Sequence, residues 1–296
     1  MTPTPSMPSV DQAIEIFSTA AEENLLSPLR QQQVVHLAAG EDGAGEVWMT
    51  GDIHDHQRNF DKLLHAADLP NNPQRNLILH ELIHGDRFDP KGAEGSWNIL
   101  FRAAELKCDY SNQVHFLLAN HDLAQIHGEG IMKSGLSVCE AFTAGVKRDF
   151  AEHGDAVSFA ISEFLLSLPL AIRTTSGIFM CHSLPTDRQV EAFDFTVFDR
   201  DLNGADYVRK TGPVYQLIWG RNMTPATAEF FAGKVGASML ITGHQPQEMG
   251  VGINGDKHLI VASEHNQGAF LHLDLATTYD MPSLIRRVRK FAALDV

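Results

Sequence analysis

Residues whose side chains bind metal ions recur in short polar clusters along this chain. The clusters lie at residues 51–56 (GDIHDH), 76–89 (NLILHELIHGDRFD), 117–122 (LLANHD), 180–185 (MCHSLP) and 241–246 (ITGHQP). Imidazole nitrogens combined with carboxylate and amide oxygens suit divalent transition metals. The chain has 15 histidines, which also favours a search for metal sites. The sequence therefore predicts metal-assisted chemistry.

The stretch at residues 76–89 supports two interpretations. As a helix, His80, Glu81 and His84 form the H-E-x-x-H signature of zinc proteases, with both histidines on one face. As a strand followed by a turn, the same residues place one carboxylate at a strand end, where two metal ions can share it. No local feature decides between them, although Gly85 would stop a helix at once.

The elements that precede the clusters favour the strand. Short apolar runs predict buried strands at residues 46–50, 77–79, 114–119, 178–181 and 239–242, and a polar cluster follows each run. In α/β sheets, ligands collect at the carboxyl ends of the strands. Further strands are predicted at residues 168–173, 258–261 and 269–275.

Helical spacing of apolar residues marks the remaining segments. It predicts one or two helices at residues 11–39, a mainly helical, cap-like insertion at residues 123–167 and a last helix at residues 281–293. Residues 1–10 contain three prolines and are predicted to be a mobile tail. We expect residues 1–45 to be a tail and helices packed on the core, and residues 46–296 to form the catalytic domain.

Composition excludes several classes of function. The net charge of −14 would repel a nucleic-acid backbone, so we expect no nucleic-acid partner. No apolar run approaches the roughly 20 residues that span a bilayer, and no secretory signal is visible. The odd number of cysteines without C-x-x-C spacing predicts free thiols in a reducing compartment, at Cys108, Cys139 and Cys181. We therefore expect a cytoplasmic protein that does not bind membranes.

In their order, the five clusters resemble the motifs of the calcineurin-like metallophosphoesterases: D-x-H, G-D-x-x-D, G-N-H-(D/E), H and G-H. The resemblance covers about residues 46–275. The segments at 164–185, 217–221 and 263–275 resemble the branch that contains the Ser/Thr protein phosphatases and the bacterial diadenosine-tetraphosphatase-like enzymes. The resemblance to the calcineurin-like family implies an α/β fold, a four-layer α/β/β/α sandwich with a two-metal site at the carboxyl ends of the strands.

The resemblance also implies the metal ligands. Two divalent cations (Mn²⁺, Fe or Zn²⁺) are expected, the first held by Asp52 and His54. The second is expected to bind the side chains of Asn120, His182 and His244. The bridging carboxylate has two candidates. A literal G-D-x-x-D at residues 85–89 makes it Asp86, whereas the alignment that the length of the predicted strand favours makes it Glu81.

The implied reaction is hydrolysis of a phosphoester by a water molecule whose pKa the cations lower. His121 is the implied general acid for the leaving oxygen, oriented by His84 or Asp89. Arg221 is expected to bind phosphate oxygens as a bidentate fork. The implied substrate is a phosphorylated small molecule or a phosphoprotein, either a phosphomonoester or a dinucleoside polyphosphate.

Two alternatives stay open at this point. One is the zinc metalloprotease built on His80, Glu81 and His84. The other is a non-catalytic binding module on the phosphoesterase fold, which we would expect to have lost metal ligands. Metal content separates the three hypotheses: about two ions for the phosphoesterase, one zinc for the protease and none for the module.

Overall fold

Two β-sheets form the centre of the computed structural model, which describes residues 7–133 and 135–294. The strands are β1 (Arg30–Gln31), β2 (Val34–Leu37), β3 (Glu46–Asp52), β4 (Arg75–His80), β5 (Val114–Leu117), β6 (Met132–Lys133), β7 (Leu136–Ser137), β8 (Ala171–Thr174), β9 (Ile178–Cys181), β10 (Met239–Thr242), β11 (Val251–Asn254), β12 (His258–Val261), β13 (Ala269–Asp274) and β14 (Val288–Lys290).

The helices cover the outer faces of these sheets. They are α1 (Val10–Leu25), α2 (Gln57–Ala67), α3 (Trp97–Asp109), α4 (Asn120–His127), α5 (Val138–Phe150), α6 (Gly154–Leu166), α7 (Pro213–Trp219), α8 (Pro225–Val235) and α9 (Met281–Ile285). The segment that was expected to be a cap-like insertion is mainly helical, and its helix α6 packs against α1, α4 and α5 within the helical layer.

The larger sheet has the strand order β1-β2-β8-β9-β10-β12-β11 and the smaller one β14-β13-β3-β4-β5. Strands β3, β4 and β5 are parallel neighbours, and so are β9 and β10. Apolar side chains fill the space between the sheets, among them Met49, Ile78, Met180, Ile241 and Leu271. A second apolar cluster joins the sheets to the helices. The expected four-layer α/β/β/α sandwich is confirmed.

Two predicted helices are wrong in part. Residues 30–37 form β1 and β2, and β2 pairs with β8, so the helix of the first segment ends at Leu25. The last predicted helix stops at Ile285, and Val288–Lys290 forms strand β14, antiparallel to β13. In both places, pairing with an existing sheet satisfies the backbone hydrogen-bonding groups and outweighs local helix preference.

The two sheets meet where the polar clusters lie. An isolated parallel bridge joins Asp52, at the end of β3, to Ala262, just after β12. Beside it, the Gly51 N–H donates a 2.9 Å hydrogen bond to Ser263 Oγ. The ends of β3, β4 and β5 therefore face the ends of β9 and β10. Among the described residues, no helix has the length and apolar character needed to cross a membrane.

Candidate metal centre

The stretch that supported two interpretations is a strand followed by an irregular turn. Strand β4 ends at His80, and residues 81–85 are not helical. Glu81 and His84 have positive φ angles of 38° and 64°, which no α-helix contains. His80 and His84 point to different partners, His182 and His121 respectively. The zinc-protease interpretation, which needs both histidines on one helical face, is therefore wrong.

Four buried side chains form the first group of potential ligands. One ligand atom from each of Asp52, Glu81, His182 and His244 lies within 4.8 Å of all the others. Asn120 adjoins this group, because its Oδ1 is 2.7 Å from His182 Nε2. The Nε2 atom of His182 is also 2.9 Å from His244 Nδ1. Donor atoms from the ends of five strands therefore converge on one small volume.

A second group of potential ligands consists of His54, Glu81 and His121, again with ligand atoms within 4.8 Å of one another. The Nε2 atom of His54 is 3.5 Å from Glu81 Oε2. Its Nδ1 is 2.9 Å from the carbonyl oxygen of Ile83, which can only accept a hydrogen bond. Nδ1 therefore carries the proton, and Nε2 presents a lone pair.

Glu81 is the residue that both groups contain. Asp86 belongs to neither. Its carboxylate is 76% exposed and lies 2.9 Å from the ammonium group of Lys133. The structure thus brings Glu81, and not Asp86, to the position between the two groups. It also places Asp52 with His182 and His244, whereas the sequence predicted Asp52 beside His54.

Burial controls the protonation of these groups. It lowers the pKa of His54 to about 4 and the pKa values of His182 and His244 well below the ordinary value, so these rings are neutral at pH 7. Burial also raises the pKa of Asp52 to about 6. The pKa of Glu81 is raised well above its ordinary value by burial and by the neighbouring Asp52 carboxylate.

This donor set fits divalent cations. Neutral imidazoles offer lone pairs, and two adjacent buried carboxylates are electrostatically unfavourable until positive charge lies between them. The turn before His244 has no space for a side chain at position 243. A Cβ atom added to Gly243 would lie 2.4 Å from Asp52 Oδ1 and 2.8 Å from the His80 ring, so only glycine fits there.

Sequence reasoning missed the role of His80. This side chain is fully buried, and its Nε2 lies 2.8 Å from Nδ1 of His182. Residues that hydrogen-bond the far nitrogen of a ligand histidine orient the ring toward the metal. The position of His80, directly before Glu81 at the end of β4, was the signal available in the sequence.

Of the two residues proposed to orient His121, the structure brings only His84 to it. The Nδ1 atoms of His84 and His121 are 2.9 Å apart. Asp89 instead accepts hydrogen bonds from Arg148 and from the backbone of its own loop. Burial and the neighbouring histidines lower the pKa of His121 well below its ordinary value. Its role as general acid stays a prediction.

Arg221 lies at the rim of the centre on a segment tied to two ligand loops. Ser183, which follows His182, donates a 2.6 Å hydrogen bond to the carbonyl of Gly220. On the other side, the Asn222 N–H donates a 2.8 Å bond to Oε1 of Gln245, which follows His244. The Arg221 guanidinium is exposed, and its charge acts to lower the pKa of Asp52.

Solved structures confirm the resemblance of the fold. A protein serine/threonine phosphatase from Saccharomyces cerevisiae with similarity to human phosphatase PP5 superposes with a TM-score of 0.70 at 16% identity, covering 98% of this chain and 91% of that one. A cold-active protein-tyrosine phosphatase of a psychrophilic Shewanella species gives a TM-score of 0.54 at 13% identity, covering 88% and 84% of the two chains.

Sequence comparison gives the family. No curated protein sequence matches this chain significantly. A family model described as calcineurin-like phosphoesterase matches residues 45–248, which is more than half of the chain and contains all five polar clusters. The chain therefore belongs to the calcineurin-like phosphoesterase family, whose members are phosphoester-hydrolysing enzymes.

Proposed function

We propose that this enzyme hydrolyses its phosphorylated substrate at a dinuclear metal centre bridged by Glu81. The observation that carries the proposal is the presence of the Glu81 carboxylate in both groups of potential ligands. His54 would bind one cation. Asn120, His182 and His244 would bind the other, together with Asp52, which the structure groups with His182 and His244. When bound, the cations would clamp phosphate oxygens, offset their charge and lower the pKa of a water molecule.

The protein's own residues provide orientation. His80 would hold the His182 ring through its Nδ1, so that Nε2 faces the centre. The proton on His54 Nδ1 is held by the Ile83 carbonyl, which leaves Nε2 available as a ligand. Because the ligand atoms of each group already lie within 4.8 Å of one another, metal binding would need little rearrangement.

Arg221 would bind the phosphate oxygens of the substrate. Its planar guanidinium can donate two parallel hydrogen bonds to a phosphate. Among the described residues no carboxylate forms a salt bridge with Arg221, which supports substrate binding over a surface ion pair. The hydrogen bonds of Gly220 and Asn222 fix the segment that carries it.

The proposed substrate is a phosphomonoester or a dinucleoside polyphosphate, presented by a small molecule or by a phosphoprotein. The test is a panel of phosphomonoesters, phosphodiesters and dinucleoside polyphosphates assayed with Mn²⁺, together with the metal content of the protein. About two ions per chain and hydrolysis of a panel member would support the proposal. No hydrolysis of any member, or no more than one bound ion, would reject it.

A further inference from the structure

A chain of hydrogen bonds connects helix α5 to the candidate metal centre through α4. The Thr143 hydroxyl lies 2.9 Å from the Cys139 carbonyl oxygen. Gln125 Nε2 lies 3.2 Å from Thr143 Oγ1, and Gln125 Oε1 lies 2.9 Å from His84 Nε2. Nδ1 of His84 is in turn 2.9 Å from Nδ1 of His121. Nothing in the proposed mechanism uses Gln125 or Thr143.

The direction of every hydrogen bond in this chain follows from the first one, between Thr143 and the Cys139 carbonyl. A carbonyl oxygen only accepts, so the Thr143 hydroxyl donates to the Cys139 carbonyl, and its oxygen accepts from the Gln125 amide nitrogen. This fixes the orientation of the Gln125 amide with its oxygen toward His84. His84 therefore donates from Nε2, which makes its Nδ1 an acceptor. The proton between the two histidines must then belong to Nδ1 of His121.

We propose that Gln125 and Thr143 are positioning residues that fix the tautomers of His84 and His121, so that His121 presents an unprotonated Nε2 to the centre as a metal ligand. The ring of His121 has its proton on Nδ1, and Nε2 keeps its lone pair. His121 thereby matches His54, whose proton the Ile83 carbonyl also holds on Nδ1. Two neutral imidazoles with the same tautomer then flank one carboxylate.

The position of His121 agrees with a ligand role. Its backbone N–H donates a 2.9 Å hydrogen bond to Glu81 Oε1, which fixes the start of α4 against the shared carboxylate. The rings of His54 and His121 meet edge to face, with centroids 4.8 Å apart. Their nitrogens and the Glu81 carboxylate form the second ligand group. The ligand role rests on the proposed dinuclear centre, whereas the tautomers do not.

The tautomers can be measured on the metal-free protein by ¹⁵N NMR of the histidine side chains, which distinguishes protonated from unprotonated ring nitrogens. In the unmodified protein we expect His84 to be protonated at Nε2 and His121 at Nδ1. Gln125→Met removes the acceptor for His84 and should convert both rings to mixtures of tautomers. Thr143→Val should do so in part, because the Gln125 amide can then flip, and Thr143→Ser should restore the original spectrum.

Gln113→Met is the matched control. The Gln113 side chain donates two hydrogen bonds to the carbonyls of Asn72 and Arg75, at the opposite end of β4 and β5. The Gln113→Met substitution removes a comparable number of hydrogen bonds far from the centre, so the spectra of His84 and His121 should not change. Proton placement opposite to the expected one, or unchanged tautomers in Gln125→Met, would overturn the positioning role whether or not the enzyme hydrolyses phosphoesters.

Metal titration tests the ligand role separately. Mn²⁺ binding by Gln125→Met, followed calorimetrically, should weaken about 10–100-fold for one ion, as is typical when the support of a ligand histidine is lost. The other ion should bind as in the unmodified protein and in Gln113→Met. Unchanged affinity for both ions, in a variant whose tautomers have changed, would show that His121 is not a ligand.

Discussion

Exchange of Glu81 for glutamine is the most direct test of a shared carboxylate. The glutamine side chain would keep the volume and one oxygen that can accept the 2.9 Å hydrogen bond from the His121 N–H. It would lose the negative charge that both ligand groups contain. We therefore expect Glu81→Gln to fold normally and to lose affinity for both ions, whereas loss of a ligand to one ion alone would weaken one site.

The magnitude follows from the number of ligands. Structural four-ligand zinc sites bind with about 10–16 kcal/mol, or about 2.5–4 kcal/mol for each ligand. Since 1.4 kcal/mol is a factor of ten, removal of one ligand should weaken each ion by about 10² or more. An amide oxygen remains a weak ligand, so about 10²-fold for each site is the expected effect.

The assay is a Mn²⁺ titration by calorimetry, with metal content measured after gel filtration. Asp86→Asn is the matched control, because Asp86 lies in the same loop but its carboxylate is 76% exposed and pairs with Lys133. That exposed pair is worth at most about 1 kcal/mol of stability. Asp86→Asn should therefore bind both ions with unchanged affinity and unfold at nearly the same temperature.

Folding must be checked in the metal-free state. Burial beside the Asp52 carboxylate makes the Glu81 charge unfavourable there, so the Tm of metal-free Glu81→Gln should equal or exceed that of the unmodified protein. The reasoning would be refuted if Glu81→Gln bound two ions with normal affinity. It would be refuted equally if Asp86→Asn lost affinity for both ions.

Three further predictions concern the surroundings of the centre. Burial raises the pKa of Glu94 to about 7, so its ionised form destabilises the fold by about 3 kcal/mol above pH 7 and not below about pH 4.5. A glutamine at this position would lose one of the two hydrogen bonds from Ser96, which is worth about 1 kcal/mol. Compared with the unmodified protein, metal-free Glu94→Gln should therefore be about 2 kcal/mol more stable to urea at pH 8 and about 1 kcal/mol less stable at pH 4.5. A difference in stability that did not change with pH would contradict this. If His121 is a metal ligand, His121→Asn should lower kcat/KM for 4-nitrophenyl phosphate and for an alkyl phosphate by the same factor, on the order of 10². A larger loss for the alkyl ester would instead support the general-acid role. Gly145→Ala should lower the free energy of unfolding by about 3 kcal/mol, because its Cβ would lie 1.7 Å from the Glu94 carbonyl oxygen; an unchanged Tm would contradict the close packing.

The central strands could be predicted from the sequence because they are buried on both faces, whereas their arrangement as a four-layer sandwich was implied by the resemblance to the family. Apolar runs such as residues 47–49 and 77–79 have no polar face, and each is followed by polar residues at the strand end. Strands β2 and β14 could not be predicted in the same way. They are short, and their pairing with β8 and β13 depends on strands far away in the sequence.

The centre was predictable as a set of residues but not as a set of contacts. The polar clusters at the ends of the predicted strands gave Asp52, His182 and His244 as candidate metal ligands. It did not show that His80 lies behind His182, or that Gln125 reaches His84 from α4. These partners are separated by 102 and 41 positions in the chain, so only the packing of separate elements brings them together.

The turn after β4 shows why local sequence did not decide between helix and strand. Several residues at the centre have positive φ angles, a conformation that non-glycine residues rarely adopt: His54 (43°), Asp55 (59°), Glu81 (38°), His84 (64°) and His244 (67°). Each costs on the order of 1 kcal/mol, and glutamate tolerates it less well than histidine or aspartate does. Hydrogen bonds between different loops offset that cost. The N–H groups of His54 and Asp55 donate to the carbonyls of Glu81 and Leu82, and the His244 N–H donates to the Asp52 carboxylate. Because the loops after β3, β4 and β10 hold one another in these conformations, the direction of the Glu81 side chain is set by residues outside its own stretch.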